Sequence, residues 1–213
     1  MPNAAMTLDI LLADTLSLTL PTHLEATLSA SSQGRLAQLS TPMRRQQFLL
    51  GRWLMSQAAG CELAGIEEGS DYPVFSHEPD LHASISHSGS YIGVVISKHG
   101  RCGLDIEHPV RQRDWRALAE RAFSPREAAW IGSAAPDKQV ERFHRLWTLR
   151  ESAFKAGLLS SVVAKECLFD PELDQHIGDW HWQYLQHGKL YLSAACAAAF
   201  DIAVHAIALP IES

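Results

Sequence analysis

The spacing of apolar residues divides the chain into short strands and longer helices. Four segments have the short apolar or alternating pattern that is typical of strands, at residues 8–13, 81–86, 91–97 and 102–106. Two segments carry apolar side chains three and four positions apart, which predicts helices at residues 43–59 and 138–157. Pro42 suits the start of the first helix and Gly60 its end, and Asp137 is the expected N-cap of the second.

Shorter elements are expected in the second half of the chain. Helical spacing covers residues 114–121, and Ser124, Pro125 and Glu127 form a capping box that begins another helix. Three more strands are predicted at residues 180–184, 189–194 and 200–209. The mixture predicts an α+β fold with a boundary near residues 98–102.

Composition narrows the kind of protein. The chain has 213 residues, 46% hydrophobic and 20% charged, so it can bury a core. Its net charge of −6 disfavours nucleic-acid binding. The longest apolar stretch, residues 190–200, is about half the roughly 20 residues that a membrane span requires, so no membrane partner is expected. The first 20 residues contain no Lys or Arg, which disfavours a secretory signal and predicts a cytoplasmic protein.

Cysteine spacing and local charge add two observations. The four cysteines are at least 29 residues apart, so they form neither a metal-binding knuckle nor a dense disulfide framework. Residues 111–155 contain ten Lys or Arg and six Asp or Glu, a basic balance within an acidic chain. This segment is either a solvated helical surface or a landing site for an acidic partner or a phosphorylated ligand.

Two pairs of charged residues are candidates for chemistry. Asp105 and Glu107 lie two positions apart on a predicted strand, so their side chains share a face. Close carboxylates repel each other unless a cation lies between them, and such oxygen ligands suit Mg²⁺ with a phosphate-bearing substrate. The alternative is two solvated acids at the end of a strand. Glu151 and Lys155, four positions apart on the long helix, are either a second part of a site or a surface ion pair.

A histidine in a Ser- and Gly-rich turn is the third candidate. In SISHSG, residues 84–89, the ring N–H groups of His87 and the neighbouring hydroxyls could contact a phosphate. A turn with a hydrogen-bonded histidine is the alternative interpretation. The segment lacks the GxSxG elbow of hydrolases, and the chain contains neither GxxxxGK[ST] nor GxGxxG.

Taken together, three motifs resemble the 4'-phosphopantetheinyl transferases in order and spacing: SISHSG (84–89), GLDIE (103–107) and WTLRESAFK (147–155). The resemblance is to the larger type that activates surfactin synthetase, rather than to the short trimeric holo-acyl-carrier-protein synthase. It covers about residues 42–157, including RRQQFLLGRWL at 44–54, which is similar to the basic helix of small bacterial members.

The resemblance implies a fold and a reaction. The fold would have two similar α/β subdomains related by a pseudo-twofold axis, at residues 1–101 and 102–213, with the active site in the cleft between them. The reaction moves 4'-phosphopantetheine from coenzyme A to a serine hydroxyl of an apo acyl or peptidyl carrier protein. It requires Mg²⁺ and releases adenosine 3',5'-bisphosphate. A monomer is expected, because one chain would already form the whole cleft.

The resemblance also implies residue roles. Asp105, Glu107 and Glu151 would hold Mg²⁺, and Lys155 would contact a phosphate oxygen of coenzyme A. Either Glu151 or Glu107 would be the general base. The resemblance alone therefore leaves the proton acceptor open.

Four further residues are expected to bind coenzyme A. His87 would contact the 3'-phosphate, with Ser86 close by. Arg45 and Arg52 would add cations at this end of the ligand, because a spacing of seven places them on one side of a helix.

The chain departs from the family pattern in three places. Arg150 replaces the usual Lys before the motif glutamate, and Ser84 replaces a frequent Asn. Asp71-Tyr72-Pro73 replaces a frequent Gly-Lys-Pro, which removes a cation near the adenine side. These differences keep two alternatives open: another metal-dependent phosphoryl enzyme, and a non-catalytic module that binds coenzyme A or a carrier.

Overall fold

The computed structural model describes residues 6–18, 20–70, 72–110, 113–160, 176–177 and 180–207. Within these ranges the strands are β1 (Met6–Asp14), β2 (Ile66–Glu68), β3 (Pro73–Phe75), β4 (His82–Ser88), β5 (Tyr91–Ser97), β6 (Cys102–Glu107), β7 (His176–Ile177), β8 (Trp180–His187), β9 (Leu190–Cys196) and β10 (Phe200–Ala206). The helices are α1 (Ala30–Ala37), α2 (Pro42–Ala59), α3 (Trp115–Ala122), α4 (Pro125–Gly132) and α5 (Pro136–Lys155). The protein therefore has the mixed α+β architecture that the sequence predicts.

Two four-stranded sheets dominate the described part of the chain. The first has the order β10-β1-β5-β4, and the second has the order β6-β9-β8-β7. The pairs β4–β5, β1–β5, β6–β9 and β8–β9 are antiparallel, whereas β1 and β10 are parallel. Strand β10 thus lies next to β1 in the first sheet, although it follows the strands of the second sheet along the chain. The division of the chain after residue 101 stays a prediction.

One long helix packs on each sheet. Helix α2 buries Leu50, Leu54 and Met55 against the first sheet, where they join Ile92 and Val94 in one core. Helix α5 buries Leu149 and Ala153 in a cluster with Trp182 and Ala195 of the second sheet. Burial of such side chains is the main stabilising contribution to the fold.

Three serine hydroxyls connect the two sheets. Strands β4 and β6 belong to different sheets, yet every second side chain of β4 is a serine whose hydroxyl accepts a hydrogen bond from the other strand. The donors are every second backbone N–H group of β6 and of the residue directly after it. The pairs are Leu104 to Ser84 (3.0 Å), Ile106 to Ser86 (3.1 Å) and His108 to Ser88 (3.0 Å). We call Ser84, Ser86 and Ser88 the serine row. Because the row takes the place of a backbone ladder, it sets the position of β6 relative to β4.

The helix boundaries agree with most of the predicted signals. Thr41 caps α2, and Gly60 ends it with a positive φ of 65°. The capping box of Ser124 and Glu127 is confirmed. The predicted role of Asp137 is wrong: α5 begins at Pro136 with Ala135 in the N-cap position, and Asp137 lies in the first turn. None of the described helices is long and apolar enough to cross a membrane.

Candidate active site

The aspartate of the GLDIE motif lies between both sheets and α5. Asp105 is 5% exposed, and its Oδ1 accepts hydrogen bonds from Nζ of Lys155 (2.7 Å) and Oγ of Ser86 (2.9 Å). Its Oδ2 is buried and accepts no hydrogen bond from the described residues. A buried carboxylate oxygen without a donor is costly, so a cation beside this atom would stabilise it.

A glycine brings β6 and α5 together at this point. A Cβ atom at Gly103 would lie 1.8 Å from the backbone oxygen of Ser152, so the strand touches the helix backbone directly. The close approach places Lys155 beside Asp105, with Nζ also 3.1 Å from the carbonyl oxygen of Leu104. The WTLRESAFK motif on α5 thereby contacts the GLDIE motif on β6. A residue larger than glycine at position 103 would prevent this backbone contact.

Glu107 and Glu151 lie within electrostatic range of Asp105. Burial raises the pKa of Asp105, although Lys155 and Ser86 act in the opposite direction. Burial and the charge of Asp105 raise the pKa of Glu107, against a hydrogen bond from Ser88 (2.8 Å). Burial and the charges of both other acids raise the pKa of Glu151. Three carboxylates that resist ionisation together form a site that favours a cation.

These carboxylates have the chemistry of a Mg²⁺ site. All donors are oxygen atoms, which Mg²⁺ prefers, and the buried Oδ2 of Asp105 has a free coordination position. In the described residues, no three His, Cys, Asp or Glu side chains are arranged so that they could hold a metal ion; Lys155 instead lies against Asp105. The donor chemistry of the three acids therefore fits Mg²⁺, whereas their arrangement around Lys155 would have to change for all three to contact one ion.

The histidine of the SISHSG motif faces a different pocket. Because side chains alternate along a strand, Ser86 points towards Asp105 whereas His87 points away from it. Nη1 of Arg44 lies 2.6 Å from Nε2 of His87, and both residues line a pocket of about 670 Å³. Burial and the positive charges of Arg44 and Lys155 lower the pKa of His87. A neutral ring accepts from the guanidinium, and an anion between them would be contacted by both.

Two arginines predicted to share one site have separate partners. Arg45 forms an ion pair with Glu25 (3.2 Å) and donates to the carbonyl oxygen of Leu36, away from His87. Arg52 lines the pocket, but its Nε and Nη2 are held by Glu68 at 2.8 and 2.7 Å. Although burial acts in the other direction, Arg52 lowers the pKa of Glu68. Arg44, which the sequence analysis missed, is thus the arginine that contacts His87.

Ser86 lies on the opposite face of β4 from His87. Its hydroxyl contacts Asp105 and Lys155 (3.2 Å), so its place beside a phosphate bound by His87 stays a prediction. The opposite directions follow from the strand alternation between residues 86 and 87. The SISHSG motif therefore contributes to both faces of β4, with Ser86 beside the acids and His87 in the pocket with Arg44.

Two departures from the family pattern acquire a structural explanation. Arg150 is fully buried and donates to both oxygens of Glu127 at 2.9 and 2.7 Å, so its position faces α4 rather than the acids. The guanidinium of Arg101 lies 5.2 Å from the ring centroid of Tyr72, which lines the same pocket as Arg44. A cation is therefore present near residue 72, although it comes from another part of the chain. Asp71 lies outside the described residues.

Comparison with known proteins identifies the family of this chain. A sequence profile described as the 4'-phosphopantetheinyl transferase superfamily matches residues 101–200. The 4'-phosphopantetheinyl transferase AcpT of Salmonella typhi is 38% identical over 135 residues, which are 61% of this chain and 69% of that protein. AcpT of Escherichia coli strain K12 is 37% identical over 134 residues, 61% and 68% of the two chains. A 4'-phosphopantetheinyl transferase of Bacillus subtilis is 34% identical over 110 residues, 50% and 48% of the two chains.

The chain therefore belongs to the 4'-phosphopantetheinyl transferase superfamily. This is a class of enzymes that transfer phosphopantetheine to carrier proteins and use coenzyme A as substrate. The profile match contains β6, α5 and β9, and thus all three acids.

Proposed function

We propose that this protein transfers 4'-phosphopantetheine from coenzyme A to a serine hydroxyl of an apo carrier protein, in a Mg²⁺-dependent reaction that releases adenosine 3',5'-bisphosphate. The observation that carries the proposal is Asp105: it is buried, paired with Lys155, and has one oxygen without a donor beside two further acids. A solvated surface pair has none of these features. Family membership supports the reaction class.

The ligand would extend from the basic pocket to the acids. Arg44 and His87 would hold the 3'-phosphate, and Lys155 would neutralise an oxygen of the diphosphate. Arg44 takes the role that the sequence assigned to Arg45, because it lies against His87. Arg52 would act on the pocket through Glu68, since its Nε and Nη2 already bind that carboxylate.

Asp105, Glu107 and Glu151 would hold the Mg²⁺ ion. When bound, the ion supplies a Lewis acid that neutralises charge on the diphosphate. Release of Asp105 from Lys155 would leave only the hydrogen bond from Ser86 on Oδ1 and let the ammonium group turn to a phosphate. Burial raises the pKa of all three acids, and the charge of Asp105 adds to this rise at Glu107 and Glu151; a cation held between the acids would favour their charged forms.

Glu151 is the better placed proton acceptor. The carrier serine loses its proton as its oxygen forms a bond to the β-phosphorus, and the bond from that phosphorus to the bridging oxygen of adenosine 3',5'-bisphosphate breaks. Glu107 already accepts a hydrogen bond from Ser88, whereas Glu151 accepts none from the described residues. Binding metal and accepting the proton would then require Glu151 to change its position or act through water.

We further propose that the two sheets with their long helices, α2 and α5, form two halves related by a pseudo-twofold axis. Each half has a four-stranded sheet and one long helix, and the acids lie where β4 meets β6. The halves correspond to residues 1–101 and 102–213, apart from β10, which adds to the first sheet. A cytoplasmic monomer would suffice, because both walls of the cleft come from one chain.

A carrier protein would dock along α3 and the start of α4. Arg113, Arg116, Arg121 and Arg126 give this segment a positive charge that suits an acidic carrier, and Arg111 lies outside the described residues. A pocket of about 640 Å³ lies next to it, lined by Arg116, Phe123 and small residues of α4. Charge and an apolar pocket together are typical of a protein-binding surface.

Mass spectrometry of carrier proteins tests the proposal. Apo carriers are incubated with the protein, coenzyme A and Mg²⁺, beside a control carrier in which the acceptor serine is replaced by Ala. A carrier that gains the phosphopantetheine mass, with release of adenosine 3',5'-bisphosphate, supports the proposal. Hydrolysis of coenzyme A without carrier modification would indicate a different phosphoryl enzyme. Thermal stabilisation by coenzyme A without turnover would indicate a binding module.

A further inference from the structure

The members of the serine row are not equivalent. All three hydroxyls accept a backbone N–H of the chain at β6 or directly after it, at 3.0 to 3.1 Å. Two of them also donate to a carboxylate: Ser86 to Asp105 (2.9 Å) and Ser88 to Glu107 (2.8 Å). Ser84 makes only the backbone contact among the described residues. The row therefore contains a natural comparison between a structural serine and a serine that touches a candidate metal ligand.

The hydroxyl of Ser88 is both an acceptor and a donor of hydrogen bonds, and neighbouring residues fix both partners. The N–H of His108 occupies a lone pair, which orients the hydroxyl hydrogen, and that hydrogen is donated to Oε2 of Glu107. Glutamate has three rotatable side-chain bonds, so an unrestrained Glu107 would lose substantial conformational freedom on binding an ion. A donor held by the backbone of residue 108 restricts this freedom beforehand, in addition to the hydrogen bond between Glu107 and Trp147.

We propose that Ser88 is a positioning residue that orients Glu107 towards Asp105 and Glu151 and thereby raises the affinity of the site for a divalent cation. This inference rests on the proposed function, because it assumes that the three acids share one ion. Groups that hold metal-ligating carboxylates in place are an established determinant of metal affinity in proteins. Ser86 is a less informative test, since its hydroxyl also contacts Lys155 (3.2 Å).

The test compares two alanine variants of the same row. Ser84→Ala and Ser88→Ala each remove one hydroxyl that accepts a backbone N–H, so both lose similar structural support. The measurement is Mn²⁺ binding by electron paramagnetic resonance in the presence of coenzyme A, together with the Mg²⁺ concentration that half-saturates turnover. We expect Ser88→Ala to weaken Mn²⁺ binding about 10-fold or more, with a parallel rise in the Mg²⁺ requirement. Ser84→Ala should bind Mn²⁺ as the wild type does.

Rescue distinguishes positioning from general damage. Ser88→Thr keeps the hydroxyl on a strand and should restore most of the Mn²⁺ affinity. If Ser88→Ala fails to fold, Ser88→Cys retains a side chain of similar shape but donates only a weak hydrogen bond, and it should show the same loss. Equal Mn²⁺ affinity of the Ser84 and Ser88 variants would overturn the inference.

The wild-type protein separates this inference from the reaction. Wild-type protein that modifies a carrier but binds no Mn²⁺ would overturn the shared metal site, and the role of Ser88 with it. Wild-type protein that binds Mn²⁺, with the expected loss in Ser88→Ala but no modification of any carrier, would support the role of Ser88 and contradict the proposed reaction.

Discussion

Helix α5 carries two buried or half-buried ion pairs five residues apart, and they differ in exposure and in the acids that surround them. Arg150 and Glu127 are both 0% exposed, and two hydrogen bonds join them. Glu127 also accepts hydrogen bonds from the backbone N–H and hydroxyl of Ser124 in the capping box. Lys155 and Asp105 have side-chain exposures of 28% and 7%, one contact of 2.7 Å, and an unpartnered carboxylate oxygen.

The difference distinguishes an ion pair that supports the fold from an ion pair that lies in the candidate active site. We call Arg150–Glu127 the closed pair, because neither side chain is exposed and the pair connects α5 to α4. We call Lys155–Asp105 the incomplete pair, because a buried oxygen of Asp105 accepts no hydrogen bond from the described residues and two more acids lie near it. An ion pair surrounded by further acids is thus a better indicator of function than an ion pair alone.

Breaking the closed pair should have the largest effect on stability. Arg150→Met leaves Glu127 charged and buried without its cation, so we expect the free energy of unfolding to fall by about 3–5 kcal/mol. Urea denaturation followed by circular dichroism measures the change. The protein that remains folded should keep its turnover, because the pair does not touch the acids of the site.

A double variant checks this explanation. Glu127→Gln with Arg150→Met removes both charges, and Gln can still serve the capping box, so most of the lost stability should return. A double variant that is no more stable than Arg150→Met would show that shape at position 150, rather than an unpaired charge, caused the loss.

Breaking the incomplete pair should instead affect turnover. Asp105→Asn removes a charge that burial disfavours, so the free energy of unfolding should not fall. Carrier modification should decrease about 100-fold or more, because a Lewis acid contributes several kcal/mol to such reactions. Turnover is measured by carrier mass and stability by thermal unfolding. Wild-type turnover in this variant would remove Asp105 from the site.

The basic pocket offers a matched pair of neighbours. Arg44→Gln should raise the KM for coenzyme A about 10-fold or more, since a hydrogen bond to a charged group is worth about 1.5–3 kcal/mol. Arg45→Gln, which loses the contacts with Glu25 and the carbonyl oxygen of Leu36 but touches neither His87 nor the pocket, should leave KM unchanged. With 3'-dephospho-coenzyme A the difference between the two variants should vanish. An equal effect of both variants would contradict the assignment of the pocket.

Helix α5 also contains a buried histidine, His144, and neither of its ring nitrogens forms a hydrogen bond with the described residues. His144 stacks on Tyr191, and burial, with the charge of Arg113, lowers its pKa from 6.5 to about 4. The unfolded chain then binds a proton before the folded protein does, so this contribution to stability is complete above pH 6.5 and is lost as the pH falls towards 4.

Between pH 7 and pH 5 the loss should amount to about 2 kcal/mol. His144→Phe retains an aromatic ring without a titratable group, so its stability should not show this component. The measurement is the difference between the two urea-denaturation curves across the pH range. Parallel curves would mean that His144 titrates normally in the folded protein.

Local pattern was sufficient for much of the fold but not for its long-range contacts. The apolar spacing of residues 43–59 predicted α2, and the capping box at Ser124 predicted the start of α4. Helix α1 was missed because its sequence, ASSQGRLA, has few apolar positions. The parallel pairing of β1 with β10 was also missed, since it joins residues that are nearly the whole chain apart.

The sequence was sufficient to predict the motifs of the site, but not the directions in which its side chains point. Spacing placed Asp105 and Glu107 on one face and Glu151 near Lys155. The choice between Arg44 and Arg45 depends on the rotation of α2 against β4, which a local pattern does not determine. The role of Ser88 depends on how closely the two sheets approach, and packing at Gly93 contributes to that distance, because a Cβ atom there would lie 2.2 Å from Cδ1 of Ile106 in β6.

A crystal structure of the protein with coenzyme A and Mn²⁺ would test the central claim most directly, because anomalous scattering locates the ion. The account predicts one Mn²⁺ ion bound by Asp105, Glu107 and Glu151, with Lys155 moved from Asp105 to a phosphate oxygen. An ion elsewhere, or a diphosphate bound while Lys155 and Asp105 remain paired and the three acids hold no metal, would contradict it.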